Sequence, residues 1–252
     1  MNDMELKEKE PLKNSGMKIS TKIAVVTILV GIVAFLVGSI MFRASGDKYR
    51  KERIKSISET VDAGKIEKID INIAASNVKI LKSSDDKIHV EGETVPESLD
   101  VRTDGEVLII ATDSVVWDFK EIAYNLVSHH NKNIAVNISL PEKVFNEIKY
   151  ELGAGETSIS GINCQKAYIG TSAGRLEIVD FDCSSFDVDS SAGDVVIRKL
   201  NCDSSDIDLS AGKLDVEDMT CNTADFDNSA GATDISRIEC KGILSVDSSA
   251  GA

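Results

Sequence analysis

The sequence predicts an all-β fold, a right-handed parallel β-solenoid (β-helix) with 19-residue coils, and three observations carry that prediction. Cys164, Cys183, Cys202, Cys221 and Cys240 are the only cysteines and stand nineteen residues apart without exception. A Ser-Ala-Gly triplet keeps the same period, ending at Gly174, Gly193, Gly212 and Gly231, then one residue late at Gly251. Counted from each of these glycines, apolar residues recur at positions two, four and seven, as in Leu176, Ile178 and Phe181 or Val195, Ile197 and Leu200. Steps of two mark strands and steps of three mark bends, and nineteen residues leave no room for a crossover helix. Repeats of this kind stack strand on strand at about 4.8 Å.

The elements follow in chain order. Residues 1–22 read as a cytoplasmic tail. Ile23 to Phe42 is a twenty-residue run without charge, interrupted only by Thr27 and Ser39, long enough as a transmembrane helix to cross a bilayer. Arg43 and its bulky neighbours make a poor cleavage site, which favours an uncleaved anchor over a signal peptide. Lysines precede the run and basic residues follow it, so charge alone does not orient it. A short tail before a large folded region favours the tail inside and the C-terminal part outside the cytoplasm.

Residues 43–60 are polar and charged and read as a juxtamembrane stalk. Residues 61–152 read as an irregular β region without the repeat marker, with turn signals at Ser83 to Asp86 and at Asp104-Gly105. Within it, Val115, Val116, Phe119, Ile122, Ala123 and Leu126 fall at helical spacing, predicting a short amphipathic helix near 115–127 that caps the repeats. Residues 153–252 hold the repeats. The chain ends one residue after Gly251 with no capping segment legible, which reads as a truncated array.

At the triplet's end, glycine suits a corner that needs positive φ or close approach of a neighbouring backbone. The cysteines share the inward phase, so they are expected to form a stacked structural ladder of buried thiols. Redox or metal use is the minor alternative, because the odd count cannot pair fully and no zinc-type spacing is present.

The single N-terminal run, the Asp104-Gly105-Glu106-Val107-Leu108-Ile109-Ile110 and Ile138-Ser139-Leu140-Pro141 segments, and the Ser-Ala-Gly repeats together resemble the bacterial putative-adhesin family. The resemblance covers roughly residues 60–252. It implies a β-solenoid head related to the autotransporter-adhesin head domain, and it brings no catalytic residues. Some relatives resemble accessory membrane proteins beside cell-envelope stress regulators. The cysteine at every ninth position departs from the family's usual glycine and serine.

The formal net charge is −14. Residues 153–252 carry eighteen acidic against seven basic side chains, a net of −11, which disfavours nucleic acid as a partner. Asp187, Asp206 and Asp225 occupy position thirteen, and Asp189, Asp208 and Asp227 position fifteen, so two carboxylate columns are expected on one outward face. Like charges about 5 Å apart repel by only about 0.8 kcal/mol in water, so a solvated face tolerates them. The six aspartates are also a candidate oxygen-ligand array for calcium, although the nonapeptide calcium repeat is absent. No other cofactor is expected.

GxSxG, HExxH and P-loop motifs are missing, and the Asp columns are near-identical copies where acid-base catalysis needs carboxylates in different environments. The sequence therefore favours a membrane-anchored, extracytoplasmic, non-catalytic protein that presents an adhesin-like surface to a protein or wall polymer. An accessory or sensor protein of an envelope-stress system is the alternative, and a carbohydrate-active β-helix enzyme the second.

Overall fold

A computed structural model describes residues 54–112 and 135–249. These residues form fifteen strands joined in a single mixed sheet. The N-terminal strands are β1 (Ile54–Asp62), β2 (Lys68–Ala75), β3 (Asn77–Lys82), β4 (Lys87–Pro96), β5 (Leu99–Asp104), β6 (Val107–Thr112) and β7 (Ala135–Leu140). A 3-10 turn, Ala63–Lys65, joins β1 to β2, with the Asp62 side chain accepting from the Gly64 N–H at its start. Alternation places Ile69, Ile71 and Ile73 of β2 in the core. β2 runs parallel to β6 and to the start of β8 (Phe145–Asp182).

Three pairings run the other way. β1 is antiparallel to β4, β4 to β7, and β5 to β6. The last pair is a hairpin closed at Gly105-Glu106, where Gly105 has φ 59°, as a tight hairpin turn requires.

The repeats lie on two ladders that leave β8. One runs through β10 (Gly193–Asn201), β12 (Gly212–Cys221) and β14 (Gly231–Cys240); the other through β9 (Ser185–Ser190), β11 (Ser204–Leu209), β13 (Thr223–Asn228) and β15 (Leu244–Ser248). Within both, neighbours are parallel and, up to β14, pair residues nineteen apart, such as Val195↔Leu214 and Ile207↔Phe226. Pairing of β13 with β15 absorbs the late residue, as Ala224↔Leu244.

One core receives side chains from both ladders, including Leu176, Ile197 and Val216 from the first and Val188, Ile207 and Phe226 from the second. Phe181 and Phe186 meet edge to face with ring centroids 5.6 Å apart, an arrangement the aromatic quadrupole favours.

The triplet glycines make the tightest corners. Gly174, Gly193, Gly212 and Gly231 have φ between 123° and 146°. A Cβ at Gly193 would lie 2.0 Å from the Gly174 carbonyl oxygen. Positive φ and close backbone approach therefore act together at this position.

The predicted fold class is corrected. The three antiparallel pairings make the sheet mixed, so the chain is all-β but is not a parallel β-solenoid. The physical reason is that the nineteen-residue period fixes a parallel register only within the repeats. Outside it β5 and β6 are joined by a tight turn that closes an antiparallel hairpin, and β1–β4 and β4–β7 pair strands far apart in sequence whose direction no period sets. Among the described residues no helix is long and apolar enough to cross a membrane. The run Ile23–Phe42 and the segment Val115–Val127, read from sequence as a transmembrane helix and an amphipathic helix, lie outside the described residues.

Candidate functional site

Alternation along β9, β11 and β13 decides which residues face out. Phe186, Ser205 and Ala224 point inward, followed by Val188, Ile207 and Phe226, and all six are buried. The residues between them must therefore face solvent. Asp187, Asp206 and Asp225 pair in register as one column. Asp189, Asp208 and Asp227 pair as a second, which Asp247 of β15 extends. Asp187 is half-buried, and the other members are exposed.

None of the seven takes part in an ion pair among the described residues. Partial burial, then the charges of Asp206 and Asp189, raise the Asp187 carboxyl above its ordinary range. Asp208 is raised by burial, then by Asp206, Asp189, Asp227 and Asp225. Both shifts have the direction that like charges and desolvation impose. One aromatic ring stands at the head of a column: Tyr168 pairs with Asp187 and is 38% exposed.

The other ladder carries charges of both signs and pairs several of them. Arg198 reaches Glu177 through Nη1 at 3.4 Å and Glu217 through Nε at 3.2 Å. Arg237 pairs with Glu217 and Asp218. Beside this zipper runs a column of non-glycine residues in the left-handed region: Asp180, Lys199, Asp218 and Arg237, with φ 53° to 59°. Sequence reading missed both features. The signal of the left-handed column was a charged residue at position six of every repeat, which periodic hydrophobicity does not weigh.

The cysteines lie where the inward phase puts them. Cys164, Cys202 and Cys221 are buried, Cys183 and Cys240 half-buried, and all five thiols are free. Burial pushes the Cys164 and Cys202 thiols up to about 12 and Cys221 up to about 11. Thiols held that high are poor nucleophiles at neutral pH.

A cleft of 540 Å³ lies at the other end of the fold, lined by Asp62, Lys82, Asp85, Asp86, Glu142 and Lys143 among others. Its polar groups are largely engaged with each other. Lys143 Nζ donates to the carbonyls of Ala63 and Ile66 at 3.2 and 2.6 Å, and Lys82 pairs with Glu142 at 2.6 Å. At its rim Asp85 accepts from the Lys87 N–H and lies 2.9 Å from both His89 Nε2 and Ser83 Oγ. Those hydrogen bonds, led by the one to His89, lower the Asp85 carboxyl to about 2.

His129 and His130 lie outside the described residues. Among the described residues no group of three or more His, Cys, Asp or Glu side chains is placed to hold a metal ion. The six candidate calcium aspartates are thus brought together as columns, not as a closed cage.

The fold and this outer face define an all-β repeat protein with two stacked ladders, one carrying charges of both signs in part paired and one carrying acids alone. The sequence matches the Toastrack DUF4097 family over residues 66–252, and the chain belongs to that family. No curated protein matches it. Among solved structures, a putative cell adhesion protein from Clostridium sporogenes is 16% identical, with 77% of this chain and 99% of that one covered and a TM-score of 0.39. A putative adhesin from Parabacteroides distasonis is 14% identical over 77% and 97%, TM-score 0.37. A putative lipid binding protein from the same organism is 12% identical over 77% and 97%, TM-score 0.30. These likenesses are distant, and family membership rests on the sequence match.

Proposed function

We propose that this chain is a non-catalytic binding protein, held at the membrane through the uncharged run 23–42, that presents its acidic ladder outside the cytoplasm to a partner bearing repeated positive charge. The observation that supports this is the contrast between the two ladders. Glu177 and Glu217 on one are matched by Arg198 and Arg237, whereas the seven stacked aspartates on the other take part in no ion pair among the described residues. Such an array is a flat, repetitive surface with spacing near 4.8 Å along the stack. It suits a protein or wall polymer with its own periodic cations better than a small ligand, which needs a concave pocket. The aspartates' shared environment offers no separated acid and base, which favours binding over hydrolysis.

The test is cosedimentation of the purified chain with isolated cell-wall sacculi and with the membrane protein fraction, at low and high salt. Binding should fall steeply with salt and disappear when Asp187, Asp189, Asp206, Asp208, Asp225 and Asp227 are all changed to Asn. Retention of binding by that folded variant would refute the proposal.

A further inference from the structure

We infer that Cys221 and Cys240 form a two-sulfur site for a soft monovalent cation of the copper(I) class. The two residues are direct partners across the parallel β12–β14 pair. Neighbouring strands hold such partners about 4.8 Å apart with their Cβ bonds side by side. A disulfide spans Cβ atoms 3.5–4.5 Å apart and closes the sulfurs to about 2.05 Å, so oxidation would require the two coils to draw together. A cation bound between two thiolates, with metal–sulfur bonds of about 2.3 Å, spans about 4.6 Å and matches the spacing already present.

Two further observations single out this pair from the rest of the column, in which Cys183 and Cys240 are half-buried and open to a cation while Cys164, Cys202 and Cys221 are buried. The Cys240 thiol already donates to exchangeable acceptors, the carbonyls of Asn222 at 3.2 Å and Ile243 at 3.3 Å. Met219 is buried two residues before Cys221 on the same face of β12, so the strand that carries Cys221 also carries a thioether on that face. Phe181 and Leu200 occupy its place in the two preceding repeats. Thiolate and thioether donors together select copper(I) over harder ions.

On binding, the two S–H bonds ionise, both protons pass to solvent, two metal–sulfur bonds form, and copper stays in its +1 state. Zinc would need four ligands, and among the described residues no third Cys, His, Asp or Glu joins the two.

The experiment titrates the full chain, reduced and anaerobic in detergent, with copper(I) supplied through a coloured chelator, and counts bound metal by native mass spectrometry. The wild-type chain should take a single copper(I) in competition with the chelator. Cys240→Ser should weaken uptake at least tenfold, Met219→Leu should weaken it measurably, and Cys183→Ser should leave it unchanged. Circular dichroism checks that each variant folds. Failure of the wild-type chain to compete overturns the inference, as does equal loss in Cys183→Ser or full uptake by folded Cys240→Ser. If Cys240→Ser does not fold, the volume-conserving Met219→Leu decides, and unchanged affinity there overturns the site.

Discussion

Replacing Gly193 by alanine tests the corner on which the stacked strands depend. The added Cβ would sit 2.0 Å from the Gly174 carbonyl oxygen and 3.0 Å from that residue's nitrogen and carbonyl carbon, all of them backbone atoms of the adjoining coil. No side chain can turn away to relieve the contact. The two coils must separate by about 1 Å or more before ordinary van der Waals distance is restored. Two hydrogen bonds cross this corner, Gly174 N–H to the Ala192 carbonyl at 3.2 Å and Ala192 N–H to the Ser172 carbonyl at 3.1 Å. Losing each costs about 1 kcal/mol net.

The backbone adds a second penalty, because φ 143° is a region that L side chains rarely adopt, at about 1–3 kcal/mol. The expected destabilisation is therefore about 3–5 kcal/mol, a large share of the roughly 5–15 kcal/mol that holds a domain folded. Urea unfolding followed by circular dichroism measures it. Gly105→Ala is the matched control: its φ is also positive, at 59°, but nothing lies within 4 Å of the new Cβ, so only the left-handed penalty of about 1–2 kcal/mol applies. A Gly193→Ala loss no larger than the Gly105→Ala loss would refute the close-approach argument.

Three other substitutions probe the remaining columns. Lys199→Gly relaxes a left-handed residue at φ 54° and should stabilise by about 0.5–1 kcal/mol in the same unfolding assay, since the strain removed exceeds the entropy glycine adds. Ser205→Ala removes a buried hydroxyl that has no hydrogen-bond partner among the described residues, at a position where the paired residue is already Ala224; it should raise stability by about 1 kcal/mol. Asp208→Asn should raise Tm at pH 7, because a carboxyl whose folded pKa is raised favours the folded state only when protonated. That gain should shrink as pH falls through the carboxylate range, and a gain independent of pH from 7 to 3 would sink the repulsion argument.

The core of the repeats was legible because burial and sequence share one period there. Leu176, Val195 and Leu214 are buried as their spacing predicts, and the glycine corners combine positive φ with close approach. Elsewhere the same reasoning had nothing to count. β1 begins at Ile54, within the segment 43–60 that reads as stalk, since Ile54, Ile57 and Val61 show no strict alternation and Ile54 is 57% exposed. Strand direction was also hidden: β4 alternates with Ile88 and Val90 inward whether its neighbours run parallel or antiparallel. Only the partner decides, and the partner lies about thirty residues or more away in sequence. The acidic columns were predicted from register alone, while the Arg198 and Arg237 zipper escaped because its charges sit at different positions in successive repeats and meet only through long side chains.

That zipper gives the acidic face its meaning. The stacked aspartates make five nearest-neighbour pairs, from Asp187↔Asp206 to Asp227↔Asp247. Each repels by about 0.9 kcal/mol in water at the strand spacing, roughly halved at physiological salt. A few kcal/mol is not negligible beside a domain's net stability. The same architecture can neutralise such a column, since one arginine, Arg198, bridges Glu177 and Glu217 across three repeats. Asp215 and Asp234 also stack on the other ladder, but there Asp215 pairs with Lys213, so columns left without ion pairs are a property of these residues and not of the fold. Sites that work against local stability are where function concentrates, and a cationic partner laid along β9, β11 and β13 would convert that repulsion into binding energy.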